Sequence, residues 1–285
     1  MSAGRPTDVF FGTTMVLAPH MDDCVLACGG TLARLPERGA VHMVYVSDGR
    51  GVPSPELPWR DAVSDLRATR ESEARAAMAL LGLPEENVHF LGLPGGRLRS
   101  FLPRLHEVLE ALLERHRPNV LLAPFRFDGD ADHRAVHAAA AALVAQHRRP
   151  PRLFEYVVPS RWNLLRGGDV RRYLPSQRVV EIDLTEVADT KRAAMEMFRS
   201  QTTLFYLWQS RPALGEAMLE RACREPEWFL AHDPEERGVE VLTRARRWIP
   251  IAQHLEPLLE RAKVRVAALW RRSGSAERLR SLVLR

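Results

Sequence analysis

Lysine is nearly absent from this chain of 285 residues, cysteine is rare, and no apolar run is long enough to span a bilayer. Among the 41 basic residues only Lys191 and Lys263 are lysines, and the arginines are scattered except near the C-terminus. The formal charge of +5 therefore does not indicate a nucleic-acid-binding surface, and we expect no nucleic acid partner. The hydrophobic fraction of 46% is ordinary for a globular protein and allows a sizeable core.

The three cysteines, Cys24, Cys28 and Cys223, argue against a disulfide framework because their number is odd. Residues 1–14 also lack the basic start and the apolar run of a signal peptide, so we expect a cytoplasmic protein. No second pair of cysteines or histidines completes a four-ligand zinc site with Cys24 and Cys28. We expect Cys28 and Cys223 to be buried as small apolar residues.

Strand and helix patterns alternate four times in the first 150 residues. The predicted strands are Met15–Ala18, Val41–Val46, Val88–Leu91 and Asn119–Ala123, and the predicted helices are Cys24–Leu35, Asp61–Leu81, Leu102–His116 and Asp132–Gln146. This alternation predicts an α/β fold, with a Rossmann-like, mostly parallel sheet and helices on both faces. A plain dinucleotide-binding domain is disfavoured because no G-x-G-x-x-G follows the first strand.

Beyond residue 150 the pattern is less regular. It predicts strands at Leu153–Val158 and Arg178–Leu184, and helices at Thr185–Ser200, Ala213–Arg224 and Ile251–Arg271. We interpret residues 1–240 as one domain and residues 241–285 as a basic, amphipathic helical extension. The extension is expected to dock on the domain or to pair two subunits in a homo-oligomer, and peripheral contact with an anionic membrane is the less favoured alternative.

Two clusters of histidine and carboxylate follow the first and the fourth predicted strands. The first is His20-Met21-Asp22-Asp23, and the second runs from Asp128 to His133. Ligands of an open α/β sheet bind outside the carboxyl ends of the strands, where strand order reverses, and these two strands often flank that point. The fold therefore predicts that the two clusters converge.

Two histidines and one carboxylate form a common catalytic zinc set, which leaves a fourth position open for water. Zinc lowers the pKa of that water, and a spare carboxylate beside the metal can take its proton. The adjacent Asp22 and Asp23 could divide these duties. Each cluster alone is more typical of a turn or a helix cap, and Asp132 is a candidate cap, but their coincidence favours a metal site.

The stretch from Ala18 to Thr31 resembles the zinc motif of the LmbE-like (PIG-L) N-acetylglucosamine deacetylases, which reads roughly A-H-P-D-D-E-x-L-x-x-G-G. The resemblance covers about residues 12–205. Further agreement lies in Val46–Gly49, Arg70–Leu83, Phe90–Pro94, Asp132–Val136, Lys191, Phe198, Ser200 and Gln201.

The resemblance implies that His20, Asp23 and His133 bind zinc and that Asp22 is the general base for the metal-bound water. The implied reaction is hydrolysis of the N-acetyl amide of a small molecule that contains N-acetylglucosamine, with release of acetate and a free amino sugar. Another divalent ion such as Fe²⁺ is the alternative metal.

The sequence departs from the family pattern at three positions. A family histidine that helps stabilise the tetrahedral intermediate, and is oriented by the residue matching Asp132, is replaced by Asp130. Asp130 acts as a proton donor to the leaving amine if it is protonated; His137 is the alternative, although we expect it to face outward from its helix. Cys24 replaces a family glutamate and is expected to be packed, and Gly95 replaces a family aspartate.

Substrate contacts are expected from the loop Gly49–Arg60 and the segment Ser160–Tyr173. The candidate contact residues, each individually more typical of surface or core, are Arg50, Arg70, Arg161 and Trp162. Two other functions stay open. One is a zinc amide hydrolase that acts on another acylated natural-product intermediate, and the other is a catalytically silent sugar-binding module.

Overall fold

A computed structural model describes residues 9–37, 39–50, 63–159, 178–205 and 212–233. Its strands are β1 (Thr14–Ala18), β2 (Val41–Ser47), β3 (Val88–Leu93), β4 (Val120–Pro124), β5 (Arg152–Tyr156), β6 (Val179–Ile182) and β7 (Glu227–Ala231). Its helices are α1 (Asp23–Arg34), α2 (Val63–Leu80), α3 (Leu102–His116), α4 (Ala131–Gln146), α5 (Ala188–Glu196), α6 (Arg199–Thr202) and α7 (Glu216–Arg224). Short 3-10 helices lie at Leu35–Glu37, Glu85–Asn87 and Leu98–Phe101.

The seven strands form one sheet in the order β3-β2-β1-β4-β5-β7-β6. The first five strands in this order are parallel, and β7 runs antiparallel to both β5 and β6. The predicted mostly parallel α/β fold is therefore confirmed. Strand order reverses between β1 and β4, because β1 pairs with β2 on one side and with β4 on the other. The loops after these two strands meet at the switch point.

Helices cover both faces of the sheet, as predicted. Side chains of α1, α2 and α5 pack on one face, and side chains of α3 and α4 pack on the other. In β2, Met43 and Tyr45 face the first layer, whereas Val44 and Val46 face the second. Strands buried on both faces read as continuous apolar runs, which is why sequence alone located them. Within the described ranges no helix combines the length and apolar character needed to cross a membrane.

Strand β7 was not predicted, and its first residue is a carboxylate. Glu227 is buried: Lys191 Nζ lies 2.8 Å from its Oε1, and the backbone N–H groups of Gly30 and Thr31 donate to its two oxygens at 2.7 and 2.8 Å. These partners satisfy a charge that would be costly to bury alone. The contacts also explain why Lys191, the only described lysine, is fully buried.

The other element predictions differ mainly at their ends. The predicted helix Thr185–Ser200 is two helices, α5 and α6, and the one predicted from Ala213 begins at Glu216. The predicted start Asp61, the helix Ile251–Arg271 and the domain boundary at residue 240 lie outside the described residues.

The cysteines are free, and two of them are packed as expected. Cys24 and Cys28 are buried, whereas Cys223 is only partly buried against the core. Burial raises the pKa of Cys24 to about 12, and its Sγ lies 3.3 Å from the hydroxyl of Tyr45. The thiol therefore stays protonated, which agrees with a packing role.

Candidate metal centre

The turn after β1 carries the first cluster into helix α1. The backbone N–H of His20 donates to Asp23 Oδ2 at 2.8 Å, which fixes this carboxylate beside the histidine ring. Asp22 precedes the first helical residue, and its carboxylate makes no capping hydrogen bond. Both carboxylates lie at the positive end of the helix dipole, which favours negative charge there. Asp22 is therefore available for a role other than capping.

The loop after β4 carries the second cluster, and Asp130 caps helix α4. Its Oδ1 accepts from the backbone N–H groups of Asp132 at 2.7 Å and of His133 at 3.4 Å. The suggestion that Asp132 is the cap is wrong, because its side chain reaches across to the turn after β3. There it accepts from the backbone N–H groups of Gly96 and Leu98, the latter at 3.0 Å.

Donor atoms of His20, Asp23 and His133 form a nearly equilateral triangle. His20 Nδ1 lies 3.3 Å from Asp23 Oδ2, His133 Nε2 lies 3.1 Å from the same oxygen, and the two nitrogens are 3.3 Å apart. Zinc bonds of usual length set the donors of a tetrahedral site about 3.3 Å apart. The three side chains therefore have both the chemistry and the spacing of a tetrahedral metal site with one position left.

Each of the two histidines also contacts a further carboxylate on its other ring nitrogen. Asp132 Oδ2 lies 3.4 Å from His20 Nε2, and Asp128 Oδ2 lies 3.0 Å from His133 Nδ1, although the second contact is not aligned as a hydrogen bond. Carboxylates in this position fix the tautomer and the orientation of ligating imidazoles. Sequence analysis included Asp128 in the second cluster but assigned it no role. It assigned Asp132 to orient the side chain at position 130, whereas in the structure Asp132 contacts His20.

Charge at the site is concentrated and negative. Burial lowers the pKa of His20, but Asp23 and Asp132 outweigh it and raise that pKa to about 10. The pKa of His133 is likewise raised, against burial, by Asp128 and Asp23. Burial raises the pKa of Asp23, but both imidazoles hold it well below its usual range. A site that draws protons onto two ligand nitrogens suits a dication, which would replace those protons.

Among the described residues, the three side chains of the triangle differ in exposure. The His20 side chain is 32% exposed, against 7% for Asp23 and 6% for His133. Asp22 is partly buried, and burial followed by the charge of Asp23 raises its pKa, whereas Arg70 lowers it. Within the described part of the chain, His20 is therefore the accessible member of the triangle, and the charges of His20 and Arg70 both act on Asp22.

Helices α2 and α6 bring two of the family-like stretches together. Glu73 accepts from the backbone N–H and the hydroxyl of Ser200 at 2.7 and 2.6 Å. Arg70 donates to the carbonyl oxygen of Gly49. When the side-chain amide of Gln201 is flipped by 180°, its oxygen accepts from Arg70 Nε at 3.0 Å. Arg70, a candidate substrate contact, is thus held in place by the protein itself.

His137 was expected to face outward from its helix, and that expectation is wrong. The side chain is buried because this face of α4 packs on the sheet, and its Nδ1 lies 3.0 Å from the carbonyl oxygen of Pro124. It joins Glu155 and His232, whose donor atoms lie within 4.8 Å of one another. Arg126 already neutralises this cluster, since its Nε donates to Glu155 at 2.8 Å. No local pattern links these residues, and sequence analysis missed the network.

Of the other candidate contacts, Arg50 lies with its Nε 3.8 Å from Asp48 Oδ2. Arg161, Trp162 and most of the two expected pocket segments lie outside the described residues.

Known proteins resemble this chain in sequence and in fold. Residues 15–144 match the PIG-L family model, which is described as GlcNAc-PI de-N-acetylase. The diacetylchitobiose deacetylase of Thermococcus kodakarensis is 23% identical over 208 residues, which cover 68% of this chain and 73% of that protein. A 1D-myo-inositol 2-acetamido-2-deoxy-alpha-D-glucopyranoside deacetylase of a Mycobacterium species is 27% identical over 226 residues, covering 65% of this chain and 72% of that protein.

Among solved structures, the conserved protein TT1542 from Thermus thermophilus superposes with a TM-score of 0.53 and 26% identity. The match covers 79% of this chain and 96% of that one. The residues matched by the family model include the first cluster and the whole of the second, and they span the sheet from β1 to β4. Residues 15–144 of this chain therefore resemble the PIG-L family in sequence, and its fold resembles that of the TT1542 protein.

Proposed function

We propose that this protein is a zinc-dependent deacetylase that hydrolyses the N-acetyl amide of a small molecule containing N-acetylglucosamine. The observation that carries the proposal is the triangle of His20 Nδ1, Asp23 Oδ2 and His133 Nε2 at the switch point of the sheet. The names of two relatives support the substrate class, because both describe deacetylases of acetylated amino sugars.

His20, Asp23 and His133 would hold the zinc ion, and Asp132 and Asp128 would orient the two imidazoles. When bound, the ion supplies Lewis acidity to the amide carbonyl and to a water molecule. The same donor set also suits Fe²⁺.

Asp22 is proposed as the general base. Its carboxylate makes no capping bond, and burial together with Asp23 raises its pKa, which makes it a better proton acceptor. In the net reaction the oxygen of water bonds to the acetyl carbon, the C–N bond breaks, and the nitrogen takes up one proton. Acetate and a free amine leave. Of the two water protons, one passes through Asp22 to solvent, and the other replaces the proton that the nitrogen took up.

Asp130 is proposed as the donor of the proton that the amine takes up. It lies on the exposed rim of the site, where its carboxylate, Asp132 and a ring nitrogen of His20 are all within 4.8 Å of one another. The two backbone N–H groups that it caps use only Oδ1. Oδ2 is therefore the oxygen that could carry a proton to the substrate.

Asp130→Asn and Asp130→Ala separate capping from proton donation. Asparagine caps a helix as well as aspartate does but carries no transferable proton, so we expect Asp130→Asn to fold normally and to lower kcat on the order of 10²-fold. Asp130→Ala should lose the same activity and also about 1 kcal/mol of unfolding free energy. Acetate release and urea denaturation are measured on the same samples. Full activity in Asp130→Asn would mean that Asp130 only caps helix α4.

The proposed function is tested with tag-free, full-length wild type and His133→Ala. After zinc is supplied and loosely bound metal is removed, we expect the variant to hold one zinc per chain fewer than wild type. We expect acetate release from diacetylchitobiose or an inositol-linked N-acetylglucosamine by wild type only. The reason is that removing one of three ligands abolishes a site of this kind.

Each alternative function gives a different result in this experiment. If His133→Ala holds one zinc fewer than wild type, but wild type releases acetate only from other acylated amines, the protein is the hydrolase of a different natural-product intermediate. A wild type whose zinc content is unaffected by His133→Ala contradicts the proposed metal site. If that protein still binds amino sugars, the silent sugar-binding module is favoured.

A further inference from the structure

Three histidines meet at the amino end of the sheet, far from the site described above. His42 and His89 are the second residues of β2 and β3, and His116 is the last residue of α3, which packs on the same face. The metal centre lies at the carboxyl end of the strands, roughly 17 Å away along β2 at the usual rise per residue. The two clusters therefore share no residue.

The three rings are arranged around one point. A nitrogen of each lies within 4.8 Å of the others, and His89 Nε2 is 3.4 Å from His42 Nδ1. The ring centroid of His89 is 5.6 Å from that of His42 and 5.2 Å from that of His116. Imidazoles around one tetrahedral ion have centroids roughly 5 Å apart. Only His42 and His116, at 3.9 Å, lie closer than this and would have to separate.

One nitrogen in the cluster has no partner. His116 Nε2 is buried, and within the described part of the chain it makes no hydrogen bond. A buried polar atom without a partner costs about 1–3 kcal/mol, so an unpaired nitrogen on one of three clustered imidazoles requires an explanation. Burial, followed by repulsion from His116, lowers the pKa of His42 to about 4 and also lowers the pKa of His89. Burial, followed by the charge of Arg115, lowers the pKa of His116. Neutral rings keep lone pairs available for a cation.

Besides the imidazole lone pairs, the carboxyl end of α3 attracts a cation to this cluster, whereas Arg115 repels one. His116 ends α3, and the last carbonyl groups of a helix carry partial negative charge. Arg115 opposes this, because its charge lowers the pKa values of all three histidines. No carboxylate in the described part of the chain belongs to the cluster. Mg²⁺ and Ca²⁺, which need oxygen ligands, are therefore disfavoured relative to ions that prefer imidazole.

We propose that His42, His89 and His116 form a second metal site, which binds one Zn²⁺ or another divalent ion that prefers imidazole. Three neutral imidazoles leave the fourth position of a tetrahedral ion for water or an anion. Binding through Nε2 of His116 would also satisfy that unpaired atom, and binding would tie the end of α3 to the edge of the sheet formed by β2 and β3.

The test uses tag-free, full-length protein with the first site removed by His133→Ala. After equilibrium dialysis against Zn²⁺, we expect about one zinc per chain in His133→Ala and none in His133→Ala combined with His89→Gln and His116→Gln. Zn²⁺, but not Mg²⁺, should raise the melting temperature of the first protein and leave that of the second unchanged, because only a folded-state site links binding to stability.

A matched control lies on the same helix. His106 is outside the cluster, so His133→Ala with His106→Gln should keep its zinc and its zinc-dependent shift in melting temperature. Far-UV circular dichroism establishes whether each variant is folded. If the protein with both His89→Gln and His116→Gln does not fold, His116→Gln alone replaces that pair in the His133→Ala background. The second site would be overturned if His133→Ala bound no zinc, or if adding His116→Gln to that variant left its zinc content unchanged. Neither result would bear on the first site.

Discussion

Asp22→Asn is expected to lower kcat for acetate release by roughly 10²- to 10⁴-fold while the protein keeps its zinc. Asparagine has nearly the shape of aspartate but cannot accept a proton from water. Since the carboxylate of Asp22 makes no capping hydrogen bond, the change should not disturb helix α1. KM should change little, because the lost interaction belongs to the transition state.

Two further variants make this result specific. Asp23→Asn changes the neighbouring carboxylate in the same way but removes a proposed ligand, so it should lose zinc and activity together. Asp183→Asn removes the same charge at an exposed position beside Arg34, the residue at the other end of α1 from Asp23, and should leave both unchanged. Zinc is measured by elemental analysis and kcat from initial rates. Wild-type kcat in Asp22→Asn with full zinc content would require a different general base.

The strands that are buried on both faces, and the edge of the sheet where the candidate site lies, could be predicted from the sequence. β1 and β4 are short runs of apolar residues, each followed by a helical pattern, and such runs fix strand positions without knowledge of partners. The first and fourth strands of such a sheet often flank the point where strand order reverses, so the sequence led us to expect that the two histidine clusters converge, and β1 does pair with β4. The triangle of donor atoms meets that expectation.

Features that depend on contacts between distant residues were not predictable. Glu227 looks unsuited to a strand until Lys191 and the start of α1 are placed around it. The orientation of His137 depends on which face of α4 meets the sheet, and an alanine-rich helix gives little sign of that face. His42 and His89 are 47 residues apart, and only the pairing of β2 with β3 makes them neighbours.

The buried carboxylate of Glu155 has the largest expected effect on stability. Glu155→Gln should lower the unfolding free energy by about 3–5 kcal/mol, because it leaves the guanidinium of Arg126 buried without its counter-charge. Glu155 has no exposed surface and accepts from the backbone N–H of Arg126 at 3.0 Å, from its Nε at 2.8 Å, and lies 2.9 Å from His232 Nδ1. Urea denaturation at neutral pH measures the loss.

The same residue predicts the acid limb of the stability curve. Burial raises the pKa of Glu155, but His232 and Arg126 outweigh it and hold the pKa at about 2, below the ordinary value of 4.5. A carboxylate whose pKa is lower in the folded state contributes fully above its unfolded value and loses that contribution as pH falls through the folded value. The difference in stability between wild type and Glu155→Gln should therefore be constant above about pH 5 and shrink between pH 4.5 and 2.

An exposed ion pair provides the contrast that decides whether burial is the cause. Glu107 pairs with Arg104 at 2.8 Å on α3, but its side chain is 69% exposed. Glu107→Gln should change the unfolding free energy by less than about 1 kcal/mol, and that change should weaken further in salt. Equal losses in Glu107→Gln and Glu155→Gln would mean that the Arg126 network contributes only as a surface pair does. A loss confined to Glu155→Gln would identify that network as the part of the fold that holds β4, β5 and β7 together behind the proposed zinc site.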